Sequence, residues 1–153
     1  MGNIFNDDFR DFIQAMNNHD VEYILVGGYA VILHGYRRVT GDMDVWVNRT
    51  KDNYAKLVRA FAEFHLPLFD MTEQKFLDPD TADVFSYGRP PVSIDIITDL
   101  KGVQFDAAFS KAQIFNESGL MIRFIHLNDL IQAKKAAARH KDLDDIEKLT
   151  SED

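Results

Sequence analysis

The chain has no cysteine among its 153 residues. Neither a disulfide framework nor a thiolate metal site is therefore open to it, and its redox compartment is left undetermined. Positive charge is also scarce: 17 Lys and Arg stand against 25 Asp and Glu, for a net charge of −8. That balance argues against broad, non-specific binding of nucleic acid, which needs a positive face, but leaves room for a local basic patch that holds a phosphate. No apolar run approaches the ~20 residues of a membrane helix. No signal-peptide pattern opens the chain. Met1-Gly2 begins like a myristoylation signal, yet Asn6 stands where Ser or Thr is required. A cytoplasmic protein with no membrane attachment is expected. Gly-x-Ser-x-Gly, P-loop lysine and His-Glu-x-x-His patterns are missing as well, and His65, His126 and His140 have no partner at metal-ligand spacing.

What remains is ordinary globular chemistry, 46% hydrophobic and 27% charged. The length suits one domain over residues 1–153, large enough to bury a core without staples. Phe5, Phe9, Phe12, Ile13 and Met16 recur at helical spacing behind capping oxygens at Asn6 to Asp8. Val21 to Val26 reads as a strand, Tyr29 to His34 as a short helix ended by Gly35, and Met43 to Val47 as a second strand. Tyr54 to Phe64 is a further helical stripe, whereas Leu66 to Phe76 has no clear period. Val84 to Tyr87 and Val92 to Ile97 read as strands on either side of a Gly-Arg-Pro-Pro turn. Phe105 to Phe109 follows as a helix, Met121 to Ile125 as a strand, and two closing helices fall within residues 127–150. The order predicts an α+β fold: a mixed β-sheet flanked by helices, with a C-terminal helical pair packed on the core.

The chemistry concentrates in 24-ILVGGYAVILHGYRRVTGDMDVWV-47. Strand alternation projects Asp42 and Asp44 from one face, about 7 Å apart, and turns Met43 and Val45 into the core. Asp95, in 92-VSIDIIT-98, is a third candidate, because Val92, Ile94 and Ile96 share the opposite face. If the two strands are neighbours, three carboxylates meet, and they repel by roughly 1–4 kcal/mol per pair unless a cation or proton intervenes. Such hard oxygen ligands suit Mg²⁺ or Mn²⁺. An ordinary solvent-facing strand edge is the competing explanation for each acid.

Gly27-Gly28, between strand and helix, offers close backbone approach and free N–H groups for a phosphate, or simply a tight turn. Arg38 and Thr40 are placed to contact phosphate or orient Asp42, or to form a surface salt bridge and a backbone cap. Lys134, Lys135, Arg139 and Lys141 crowd the closing segment. Lys134 and Arg139 can direct charge to one spot, against the commoner outcome of a solvated helix face. Asp142 reads as a cap for the last helix. His34 and Trp46 read as packing residues.

The segment 27-GGYAVILHGYRRVTGDMDVWV-47 resembles the Gly-Gly…Arg-x-Thr-x-Asp-x-Asp signature of minimal nucleotidyltransferase-fold proteins, in particular the toxin-type AbiEii and MenT nucleotidyltransferases. The segment 134-KKAAARHKDLDDI-146 is similar to a closing motif of their small uncharacterised relatives. The resemblance spans roughly residues 8–150. It implies Asp42 and Asp44 as holders of a divalent metal bound to a nucleoside triphosphate, and Asp95 as the third carboxylate, which activates the acceptor hydroxyl. It further implies Gly27, Gly28 and Lys134 as phosphate contacts, with Arg38 and Thr40 beside them.

The expected activity is metal-dependent transfer of NMP from an NTP to a protein or RNA hydroxyl. A toxin–antitoxin setting with a partner protein encoded nearby goes with it. The competing expectation is a catalytically inactive module of the same fold that binds nucleotide or a partner. A metal-dependent phosphohydrolase is a third option, disfavoured by the lack of a histidine cluster.

Overall fold

The computed structural model describes residues 5–36, 40–81, 83–89 and 92–150, with Arg89 and Val92 described by backbone alone. The elements run α1 (Asp7–Asn18), β1 (Tyr23–Val26), α2 (Gly27–Leu33), β2 (Asp42–Val47), α3 (Lys51–Glu63) and α4 (Glu73–Leu77). They continue with β3 (Val84–Arg89), β4 (Val92–Ile97), α5 (Phe105–Lys111), β5 (Gln113–Glu117), β6 (Leu120–Phe124), α6 (Leu127–Ala137) and α7 (His140–Thr150). The strands form one mixed sheet in the order β3-β4-β2-β1-β6-β5. β1 is antiparallel to β2 and parallel to β6, β2 is parallel to β4, and the two outer pairs are antiparallel. This is the expected α+β architecture.

Local chemistry explains most boundaries. Asn6, Thr50 and Thr72 accept hydrogen bonds from the backbone N–H groups of Phe9, Asn53 and Lys75, which starts α1, α3 and α4. Val21 and Glu22, read as strand, precede β1, which begins at Tyr23 and is buried along its whole length. β5 and the helix α4 were not legible from residue pattern. β5 is a half-exposed edge strand whose alternation is weak, and α4 is too short to show a period. The Glu117-Ser118-Gly119 turn makes β5 and β6 a hairpin, with Ser118 and Gly119 both at positive φ, as a tight hairpin turn requires. The Pro90-Pro91 part of the anticipated turn lies outside the described residues.

Alternation along β2 divides the core. Met43, Val45 and Val47 pack with Phe9, Phe12 and Phe61 of α1 and α3 on one side of the sheet. Trp46 packs with Ile24, Val26, Ile125 and Leu130 on the other, edge-on to Phe105 at 5.0 Å. Burying each large side chain contributes roughly 1.5–3 kcal/mol. Among the described residues, no helix is long and apolar enough to cross a membrane.

Candidate active site

Asp42, Asp44 and Trp46 share the face of β2 that looks toward α6 and α7, because side chains alternate and Trp46 lies in that half of the core. β4 runs parallel and in register, so Asp42 lies beside Ser93 and Asp44 beside Asp95. The row extends both ways: Val26 of β1 flanks Asp44, and Ser86 of β3 flanks Asp95. A hydrophobic strand pair thus carries a line of polar groups at one end only. Ser93 Oγ donates to Asp42 Oδ1 at 2.8 Å, and Thr40 Oγ1 donates to the Asp42 carbonyl at 3.3 Å.

Asp44 is the most perturbed of the acids. Burial, then the negative charges of Asp95 and Asp42 and a hydrogen bond shared with Asp95, push its carboxyl up to about 7, with Lys141 pulling weakly the other way. Two carboxyl groups in contact cannot both ionise cheaply, so a proton or a cation must sit between them. Among the described residues, no three His, Asp or Glu side chains are arranged to hold a metal ion together. That does not conflict with the donor chemistry, because Mg²⁺ is commonly bound by one or two carboxylates plus substrate phosphates. The hard oxygen pair of Asp44 and Asp95, with Asp42 next to it, fits such an ion.

Gly27 and Gly28 form the first turn of α2 rather than a loop before it. Gly27 stands at φ +68, and a Cβ there would collide with Asp44 Oδ2. Val26 occupies the N-cap position and makes no side-chain cap, so the leading N–H groups of α2 are left without one. Beside them a cavity of about 100 Å³ is lined by Gly27, Asp44, Ala133, Lys134, Arg139 and Asp142, among others.

Lys134 does reach this cavity but not as a solvated cation. It is 6% exposed and pairs with Asp145 at 2.9 Å and Asp142 at 3.5 Å. Asp142 also accepts from the backbone N–H of Arg139 at 3.2 Å and from Arg139 Nε at 2.6 Å. It therefore caps α7, as its position suggested, and clamps Arg139 at once. Burial alone would raise the Asp142 carboxyl, but its hydrogen bonds from Arg139 and the charges of Arg139 and Lys134 hold it below the usual range. The Arg139 guanidinium is raised, chiefly by its hydrogen bond to Asp142, with a smaller pull from Asp44.

Arg38 lies outside the described residues. Sequence reasoning missed Ser93 and Ser86, which only strand pairing brings to the acids, but it placed Lys134 and Arg139 at one spot, and both line the cavity. The spacing of Lys134, Arg139, Asp142 and Asp145 was the available signal. His34 is a packing residue: its ring lies edge-on to Phe124, and its Nε2 is 2.8 Å from the Ile125 carbonyl.

The chain belongs to the family described as "Nucleotidyltransferase of unknown function (DUF6036)", whose pattern matches residues 7–151. Its fold is similar to that of a Thermotoga maritima protein provisionally named a nucleotidyltransferase. The TM-score is 0.61 at 15% identity, over 92% of this chain and 88% of that one. No protein of curated function matches the chain in sequence.

Proposed function

We propose that the protein transfers NMP from a nucleoside triphosphate to a hydroxyl acceptor, with Asp42, Asp44 and Asp95 as its catalytic and metal-holding residues. The observation that carries the reading is the pairing of Asp44 with Asp95 on adjacent parallel strands, with Asp44 packed against Gly27 and lining a cavity that Lys134 and Arg139 also line. Mg²⁺ or Mn²⁺ on these acids would neutralise the triphosphate and the charge that develops at the α-phosphorus.

The chain's own residues do the rest. Gly27 and Gly28 offer backbone N–H groups to phosphate oxygens, and Lys134 and Arg139, each shared with Asp142, line the adjoining cavity as further phosphate contacts. Ser93 and Thr40 fix Asp42, and Arg38 belongs to the same proposed phosphate-contacting set. Asp95 takes the proton of the acceptor hydroxyl as its oxygen bonds to the α-phosphorus and the bond to pyrophosphate breaks. Most of the acceleration then comes from positioning and charge, with few groups needed.

Incubation with Mg²⁺, each α-labelled NTP and cell extract tests the reading. Labelled acceptor is expected with the wild type and not with Asp44→Asn; equal labelling by both, or none by either, overturns it.

One observation favours a second reading, a nucleotide- or partner-binding module without turnover: Lys134 is already neutralised by Asp142 and Asp145. NTP binding that persists without Mg²⁺ and in Asp95→Asn, with no transfer, would select that reading. The likeness of residues 27–47 to AbiEii and MenT sequences supports a cytoplasmic toxin–antitoxin setting. Growth arrest on expression, relieved by the neighbouring reading frame, is the result it requires.

A further inference from the structure

The cavity with Lys134 and Arg139 opens at Val26 and Gly27, where β1 meets α2, and runs under α6 and α7 to Ile97 and Leu100. Across the sheet the row continues the other way, from Asp44 to Asp95 to Ser86. Triphosphate bound at Gly27 puts the leaving pyrophosphate on the β1 side. In-line displacement then requires the acceptor oxygen to arrive from the β4 and β3 side. Among the described residues Ser86 and Gly88 are exposed on that side, and their small size leaves room beside Asp95.

β3 is an edge strand. Around its edge lies a cavity of about 240 Å³ lined by Phe69, Met71, Lys75, Val84, Ser86 and Tyr87, among others. Phe69 is 73% exposed and Val84 48%, two of five exposed large hydrophobics among the described residues, and both line this one cavity. Phe69 also stands at φ 51, a strained conformation for a bulky side chain. Its loop is pinned from both sides. Tyr87 Oη donates to the Leu68 carbonyl and Tyr54 Oη to the Met71 carbonyl, each at 2.8 Å. The surroundings therefore over-determine an unfavourable backbone that holds an aromatic ring out in water, as a preformed anchor point does.

We propose that the acceptor is a protein segment that docks along the edge of β3, seats an apolar side chain against Phe69 and Val84, and presents its hydroxyl over Ser86 to Asp95. This rests on the transferase reading and names its acceptor class. Charge favours protein over RNA: among the described residues Asp70, Asp80 and Asp83 are exposed around this edge, against Lys75 in the same cavity and Arg49, which pairs with Asp83 at 3.0 Å. The balance is acidic, so a polyanion meets more repulsion than counter-charge, whereas a segment with basic residues flanking the hydroxyl is complemented.

The full-length protein is supplied with Mg²⁺, the four α-labelled NTPs and two acceptor pools. One pool holds synthetic peptides with Ser, Thr or Tyr between apolar and basic residues; the other holds random-sequence RNA oligonucleotides. Label is expected in the peptides alone. Phe69→Glu and Val84→Glu should each cut peptide labelling by at least about tenfold while NTP affinity, by calorimetry, changes less than about twofold. Label confined to RNA, or variants that label peptides like the wild type, overturns the proposal. Pyrophosphate release into water, compared with Asp44→Asn, reports the catalytic centre without any acceptor. If it persists while neither pool is labelled, the docking proposal fails and the transferase reading stands. If it is absent everywhere, the transferase reading fails and the proposal with it.

Discussion

Gly27 and Asp44 are packed so closely that a single methyl group on Gly27 would occupy the place of the Asp44 Oδ2 oxygen. The contact joins the first residue of α2 to the most perturbed acid of the site. It fixes where the glycine backbone and the carboxylate lie relative to one another. Gly27→Ala meets two penalties, this collision and φ +68. Each costs on the order of 1–3 kcal/mol. We expect a folded but destabilised variant in urea titration, with NTP binding lost beyond what the stability change explains. Wild-type NTP affinity in Gly27→Ala would remove the phosphate role of this turn.

Asp44→Asn should separate stability from activity. The unfolded carboxyl ionises near 3.8 and the folded one near about 7, so between these values the native state holds a proton that the unfolded chain lacks. Stability of the metal-free wild type therefore falls as pH rises across that window. Asparagine removes this loss. Its melting temperature should exceed the wild type's at pH 8 by roughly 2–8 °C, and the two should converge near pH 4, while transfer activity disappears.

Lys134 is expected to be as much a structural residue as a ligand. Removing one partner of a buried ion pair leaves the others uncompensated, so Lys134→Ala should cost roughly 3–5 kcal/mol in denaturant titration. Lys134→Met with Asp142→Asn and Asp145→Asn together should restore much of that loss. A mild effect of Lys134→Ala on stability, joined to a large effect on NTP binding, would assign the lysine to the ligand alone.

Asp142 predicts an acid limb. Its carboxyl is held below 3.8 in the folded state, so the stability it contributes is complete above that value and is lost as pH falls through its lower native one. In Asp142→Asn the unfolding free energy should be lower at pH 7 and flatter between about pH 4 and pH 2 than in the wild type.

Ser93→Ala tests the support of Asp42. Loss of the 2.8 Å hydrogen bond to Oδ1 should leave the fold intact and cost about 1.5–3 kcal/mol in whatever step needs Asp42 fixed. The readout is Mg²⁺-dependent NTP affinity, with Ser93→Thr, which keeps the hydroxyl, expected to retain more of it. Equal affinities for Ser93→Ala and the wild type would make the contact incidental.

The readable part of the fold was the part written in short-range pattern. Phe9, Phe12, Ile13 and Met16 give α1 its period, and Asp42, Asp44 and Trp46 show the alternation of β2. β5 and α4 carried too few apolar positions to reveal themselves, and they depend on neighbours: β5 on β6, and α4 on burial of Phe76. Neither expectation for Lys134, a phosphate contact or a solvated helix face, included its burial, because sequence spacing cannot show that α7 folds back to set Asp142 and Asp145 against it.

The sequence by itself determined which residues are able to do chemistry: paired acids one residue apart on a strand, glycines at the start of a helix, and a basic run near the end. Covalent spacing of a few residues is enough for that, because side chains alternate along a strand with a period that needs no partner. Only the tertiary structure decided that β4 lies parallel to β2 and in register, which sets Asp95 against Asp44, far along the chain, with Ser93 of the same strand on Asp42. It also decided that β3 is left as an open edge beside them. Strand order and register follow from how the whole sheet buries its two faces, a global balance that no local window of the sequence contains.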